Sequence, residues 1–109
     1  MRPHHIEYHE GVLDTPQIRS AILELADLIR SRYPEATFEV TASPEDTQVV
    51  HLYVTVDRID TDELVDLVID REMAVQERGV PLHVIPLRTP ERNAEVRAQN
   101  AEERKHFTL

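Results

Sequence analysis

Thr37-Phe38-Glu39-Val40-Thr41-Ala42 and Val50-His51-Leu52-Tyr53-Val54-Thr55-Val56 decide the fold of this chain. In both stretches apolar and polar residues alternate strictly, the period-two mark of a strand with one buried face. Ser43-Pro44-Glu45-Asp46 between them is a turn cluster, so the two strands should form a hairpin. One side of that hairpin carries Phe38, Val40, Leu52 and Val54; the other carries Thr37, Glu39, Thr41, His51, Tyr53 and Thr55.

Helical patterns flank the hairpin on both sides. Ile18, Ile22, Leu25 and Ile29 recur at helical spacing, with Ala21 and Leu28 widening the stripe. Thr15 suits the cap, Pro16 suits the first helical position, and Pro34 ends the helix near Tyr33. A second helix is expected from Asp60, with Glu63 completing a capping box, to Arg78, where Gly79 and Pro81 close it. Leu64, Val68 and Val75 mark its buried face, broadened by Val65, Leu67 and Ile69. A third strand follows from Leu82 to Leu87, laid parallel to the second by a right-handed crossover.

The expected fold is therefore α+β: a two-layer sandwich with an αββαβ core and both helices on one sheet face, in a single domain over residues 1–89. Residues 5–10, His-Ile-Glu-Tyr-His-Glu, alternate weakly; as an extra strand they would give a ferredoxin-like βαββαβ unit with that strand central. Residues 90–109 read as a polar helical tail or arm, opened by Thr89-Pro90, with Ala94, Ala98 and Ala101 as its only apolar stripe. The helix–strand–strand–helix–strand order is similar to that of the cytoplasmic domain of cation-diffusion transporters, which dimerises and binds metal through histidines. The likeness is one of element order, with no motif residue behind it. The hairpin is similar to that of type II KH domains, but the chain has no Gly-x-x-Gly loop.

Composition narrows the functions. The 109 residues carry a net charge of −9. Residues 1–87 hold seven Lys/Arg against seventeen Asp/Glu, a charge of −10, while residues 88–109 hold five against four. A body of that sign repels phosphate backbones and anionic lipid, so neither nucleic acid nor membrane is an expected partner. There is no cysteine, hence no disulfide, thiolate site or Cys nucleophile. With two glycines, Gly11 and Gly79, there is no phosphate-cradling loop, and no Ser lies in a Gly-x-Ser-x-Gly elbow. No cofactor is expected. The N-terminus lacks the apolar run of a signal peptide, and a cytoplasmic protein is the expectation.

The open sheet face is the first candidate site. His51, Tyr53 and Thr55, with His83, Ile85 and Leu87 from the third strand, would mix aromatic, imidazole and apolar groups there. A small domain buries only about 60–70% of its unfolded surface, and pairing with a second copy over this face would bury more. The expected function is a non-catalytic interaction or regulatory module acting through protein–protein contact, a homodimer with a further protein partner unknown. The alternative is a metal- or small-ligand-binding sensor. For metal, His4, His5 and His9 cluster at the N-terminus beside Glu7 and Glu10, although their spacing matches no established ligand pattern. Asp57, Asp60, Asp62 and Glu63 crowd the start of the second helix, where capping and the helix dipole account for them. For acid–base work, His51 and Glu39 could approach each other across the hairpin, although no motif marks the pair out.

Overall fold

A computed structural model describes residues 6–107, with side chains to 101. His4 and His5 lie outside the described residues. The elements are β1 (Ile6–Tyr8), α1 (Pro16–Arg32), β2 (Thr37–Ala42), β3 (Val50–Val56), α2 (Asp62–Glu77), β4 (Leu82–Arg88) and α3 (Pro90–Phe107). The four strands form one mixed sheet in the order β1-β2-β3-β4. β2 and β3 are the antiparallel hairpin, with Val40 opposite Leu52 and Glu39 opposite Tyr53; β4 runs parallel to β3 and β1 parallel to β2.

The alternation in the hairpin becomes a one-sided core. Phe38, Val40, Val50, Leu52, Val54, Val56 and Leu82 are buried on one sheet face against Ile18, Ile22, Leu25 and Ile29 of α1 and Leu64, Val68 and Val75 of α2. The two helices are also tied to each other at the surface. Glu24 of α1 accepts from Arg71 (2.7 Å) and from Arg78 (3.3 Å) at the far end of α2. The Arg71 bond, more than any other influence, holds the Glu24 carboxyl below its usual value of 4.5.

The helix ends follow their sequence signals in three cases and depart from them in one. Thr15 Oγ1 accepts from the Ile18 N–H at 3.2 Å, and Pro16 opens α1. α2 closes with Gly79 at φ +88, a left-handed position that favours glycine. The Gly79 N–H donates to Gln76 O and the Val80 N–H to Val75 O, the paired closure of a Schellman end. Thr89 Oγ1 accepts from the Arg92 N–H at the start of α3. At the start of α2, however, the cap position is Thr61, whose side chain makes no capping bond, and the expected Asp60–Glu63 box is not formed. Asp60 instead folds onto the Asp62 N–H at 2.8 Å, a local turn that competes with capping.

Two further expectations are corrected. Val65 and Ile69, read as widening the buried face of α2, are each 39% exposed. With Met73 they form a stripe four residues apart, turned away from the core. β1 does form, but at the sheet edge beside β2, whereas the ferredoxin-like arrangement has its first strand central. The consequence is geometric. Both crossovers step the same way across the sheet, while β1 and β2 run opposite to β3 and β4. Two helices on one face then require crossovers of opposite hand, so one of the two departs from the right-handed rule.

The β4 edge is blocked against further pairing. On β4, the outward Val84 N–H donates to Glu72 Oε2 (2.9 Å), and Leu82 O accepts from Gln76 Nε2 (2.9 Å). Pro86 offers no N–H at all. β1, at the other edge, has three residues. Among the described residues no helix is long and apolar enough to cross a membrane.

Candidate functional site

The sheet face away from α1 and α2 is a small grid set by strand register. One row holds Thr41, His51 and His83; the next holds Glu7, Glu39, Tyr53 and Ile85; the third holds Thr37, Thr55 and Leu87. The six residues singled out from sequence, His51, Tyr53, Thr55, His83, Ile85 and Leu87, thus lie together on β3 and β4. His51, Tyr53, Thr55 and Ile85 are half-buried, while His83 and Leu87 are exposed. The His51 ring meets the Tyr53 ring edge-on at 5.9 Å between centroids and the His83 ring at 6.3 Å. His83 Nδ1 also lies 3.3 Å from Gln76 Nε2, whereas His51 Nδ1 is buried without a hydrogen-bond partner. Leaving such a group unpaired costs about 1–3 kcal/mol.

The β1–β2 half of the face has a different character. Glu7 sits directly opposite Glu39, and His9 Nε2 lies 3.0 Å from Glu39 Oε1. The Glu39 carboxylate is therefore engaged by His9, and in register Glu39 faces Tyr53 while His51 faces Thr41. The acid–base pairing of His51 with Glu39 is not made. Ligand atoms of Glu7, His9 and Glu39 lie within 4.8 Å of one another. Of the N-terminal histidines only His9 falls among the described residues.

α3 begins at the end of this face and leads away from it. Arg92 donates to Asp57 (2.8 Å) and to Glu95 (3.1 Å), and these bonds hold its own pKa above the ordinary guanidinium value. Thr37 and Thr55 of the sheet meet Glu91, Arg92 and Glu95 of α3 across a groove of about 510 Å³. Past that turn Ala94, Ala98 and Ala101 are exposed, and Val96 is half-buried. The molecule measures 56 × 35 × 27 Å, with a radius of gyration of 16.1 Å against about 13 Å for a compact chain of this length. Asp57, grouped from sequence with the acidic start of α2, is in fact the anchor for α3.

One surface escaped the sequence reading, the outer stripe of Val65, Ile69 and Met73 on α2. Its signal was present as apolar residues at i, i+4 and i+8, but neighbouring Leu64 and Val68 make the helix apolar over too wide an arc to say which side turns inward. No protein-family model, no curated protein and no solved structure matches this chain.

Proposed function

We propose that the chain is a non-catalytic interaction module that pairs with a second copy of itself through the open sheet face. The observation that carries this reading is the His51–Tyr53–Ile85–Leu87 patch: aromatic and aliphatic groups on strands whose other side is already buried under α1 and α2. Both edges are blunted, so edge pairing is disfavoured and face-to-face packing is the available mode. Strands about 4.8 Å apart and six or seven residues long give a face of roughly 300–400 Å². A standard interface uses about 800 Å² per partner. α3, ~27 Å long at 1.5 Å per residue, would extend beyond the face toward the second copy and supply the difference. The near-neutral charge of residues 88–109 suits them to an acidic neighbour.

Two acidic bodies repel, so the contact is mainly apolar and strengthens with salt as screening removes the repulsion. Sedimentation at micromolar concentration should show a dimer, and a monomer there would end the proposal. Tyr53→Glu would bury an unpaired charge in the interface and should yield a folded monomer. A dimer indifferent to that substitution would place the interface elsewhere, with the α2 stripe next in line.

A further inference from the structure

We infer that Glu7, His9 and Glu39 form a site for a divalent transition cation, zinc in the first instance, which clamps edge strand β1 to β2. Ligand atoms bound to zinc at about 2.0–2.2 Å lie about 3.3–3.6 Å apart in a tetrahedral shell. The three candidate atoms lie within 4.8 Å of one another, and the His9–Glu39 pair is already at 3.0 Å. Closure therefore needs side-chain rotations of about an ångström in groups that are free to make them.

The backbone holds the three donors in place. Glu7 and Glu39 are paired residues of a strand ladder, and the His9 N–H donates to Val40 O at 2.9 Å. Alternation along β1 sends Glu7 and His9 to the same side. The constellation thus comes from two hydrogen-bonded strands rather than from a free terminus. Electrostatics point the same way. Like charges directly opposite on neighbouring strands repel, and here they do so within a body already at −10. A divalent cation turns that repulsion into attraction at both carboxylates.

The donor set selects the class of ion. An imidazole with two carboxylates suits zinc and its first-row neighbours, whereas magnesium and calcium favour all-oxygen shells. Three protein ligands leave a coordination position open to water. The site is complete within one chain, so it does not depend on pairing. Because the site joins β1 to β2, the three-residue strand β1 is the element that gains order on uptake.

Calorimetric titration of the chelator-treated full chain with zinc chloride should show one ion per chain in the micromolar range. Glu39→Gln and His9→Gln should each weaken it at least about tenfold, the scale of loss that even outer-shell changes bring. His83→Gln should leave it unchanged. Hydrogen exchange at the His9 amide, which donates to Val40 O, should slow when zinc is added to the wild type and not to Glu39→Gln. All three ligands are exposed, so the variants should fold, which circular dichroism checks. Absence of saturable binding would overturn the inference. So would binding that Glu39→Gln leaves intact, since the ion would then be held by other histidines.

Discussion

Truncating Leu52 to alanine tests the layer assignment most directly. Leu52 is fully buried in β3, flanked by Val40 of β2 and Val84 of β4 in register. Removing its isobutyl end deletes about three buried methylene equivalents at ~0.8 kcal/mol each, or roughly 2.4 kcal/mol of transfer free energy. A central strand between two others and under two helices collapses poorly, so the residual cavity adds to that loss. The expected total is about 3–4 kcal/mol, within the 2–5 kcal/mol range of such truncations. Total stability for a chain this long is about 5–15 kcal/mol, so a large fraction would go. Leu23 supplies the matched control. It is 46% exposed on α1, and alanine is the better helix former there, so Leu23→Ala should change stability by less than about 0.5 kcal/mol. Urea unfolding followed by circular dichroism measures both. Equal losses from the two substitutions, or a loss below about 0.5 kcal/mol at Leu52, would show that the buried face has been assigned wrongly.

Two other substitutions probe the edge and the surface fork. Glu72→Ala strips the acceptor from the outward Val84 N–H; it should cost about 1–2 kcal/mol and raise concentration-dependent light scattering, and unchanged scattering would mean that the bond guards nothing. Because Arg71 and Arg78 depress the Glu24 carboxyl, the stability that Glu24 lends is present above about pH 4.5 and lost as pH falls through the lower folded value. Glu24→Gln should therefore make the acid limb of a stability–pH profile shallower below pH 4.5, and an unaltered limb would remove the fork from the account.

The hairpin, α1 and the core were legible because each rests on local chemistry. Period-two alternation set the inward sides of β2 and β3, and Thr15-Pro16 and Gly79 marked helix ends through their own backbone preferences. What was not legible depends on contacts between distant segments. Residues 6–8 alternate too briefly to reveal a partner. Two right-handed crossovers with helices on one face would have put that strand at the centre. Its edge position beside β2 is what brings Glu7 and His9 to Glu39, so the metal candidate could be named only in part, as His9 and Glu7 within the N-terminal cluster and without Glu39. The Asp60 side chain had two plausible backbone partners within three residues, and sequence spacing does not rank an Asx turn against a cap.

Local rules are broken in few places, and their positions are informative. Among the described side chains two buried polar nitrogens lack partners. One, Arg30 Nε, belongs to a guanidinium stacked 5.6 Å from the Phe38 ring centroid, which offsets its loss by a cation–π contact. The other, His51 Nδ1, has no such compensation and lies on the open face. The opposed Glu7 and Glu39 carboxylates lie on that same face, two strands away at most. A threonine at 51 and a lysine at 7 would serve the strand as well or better, with no buried orphan and with an attractive cross-strand pair. Sequences depart from local consistency chiefly where something other than folding constrains them. Both departures fall on the sheet surface that the helices leave uncovered, while the β4 edge, where uncontrolled pairing could begin, is blocked by Glu72, Gln76 and Pro86. Both local costs thus lie on the surface over which we propose that a second copy packs, and that pairing would offer the orphaned His51 nitrogen a partner.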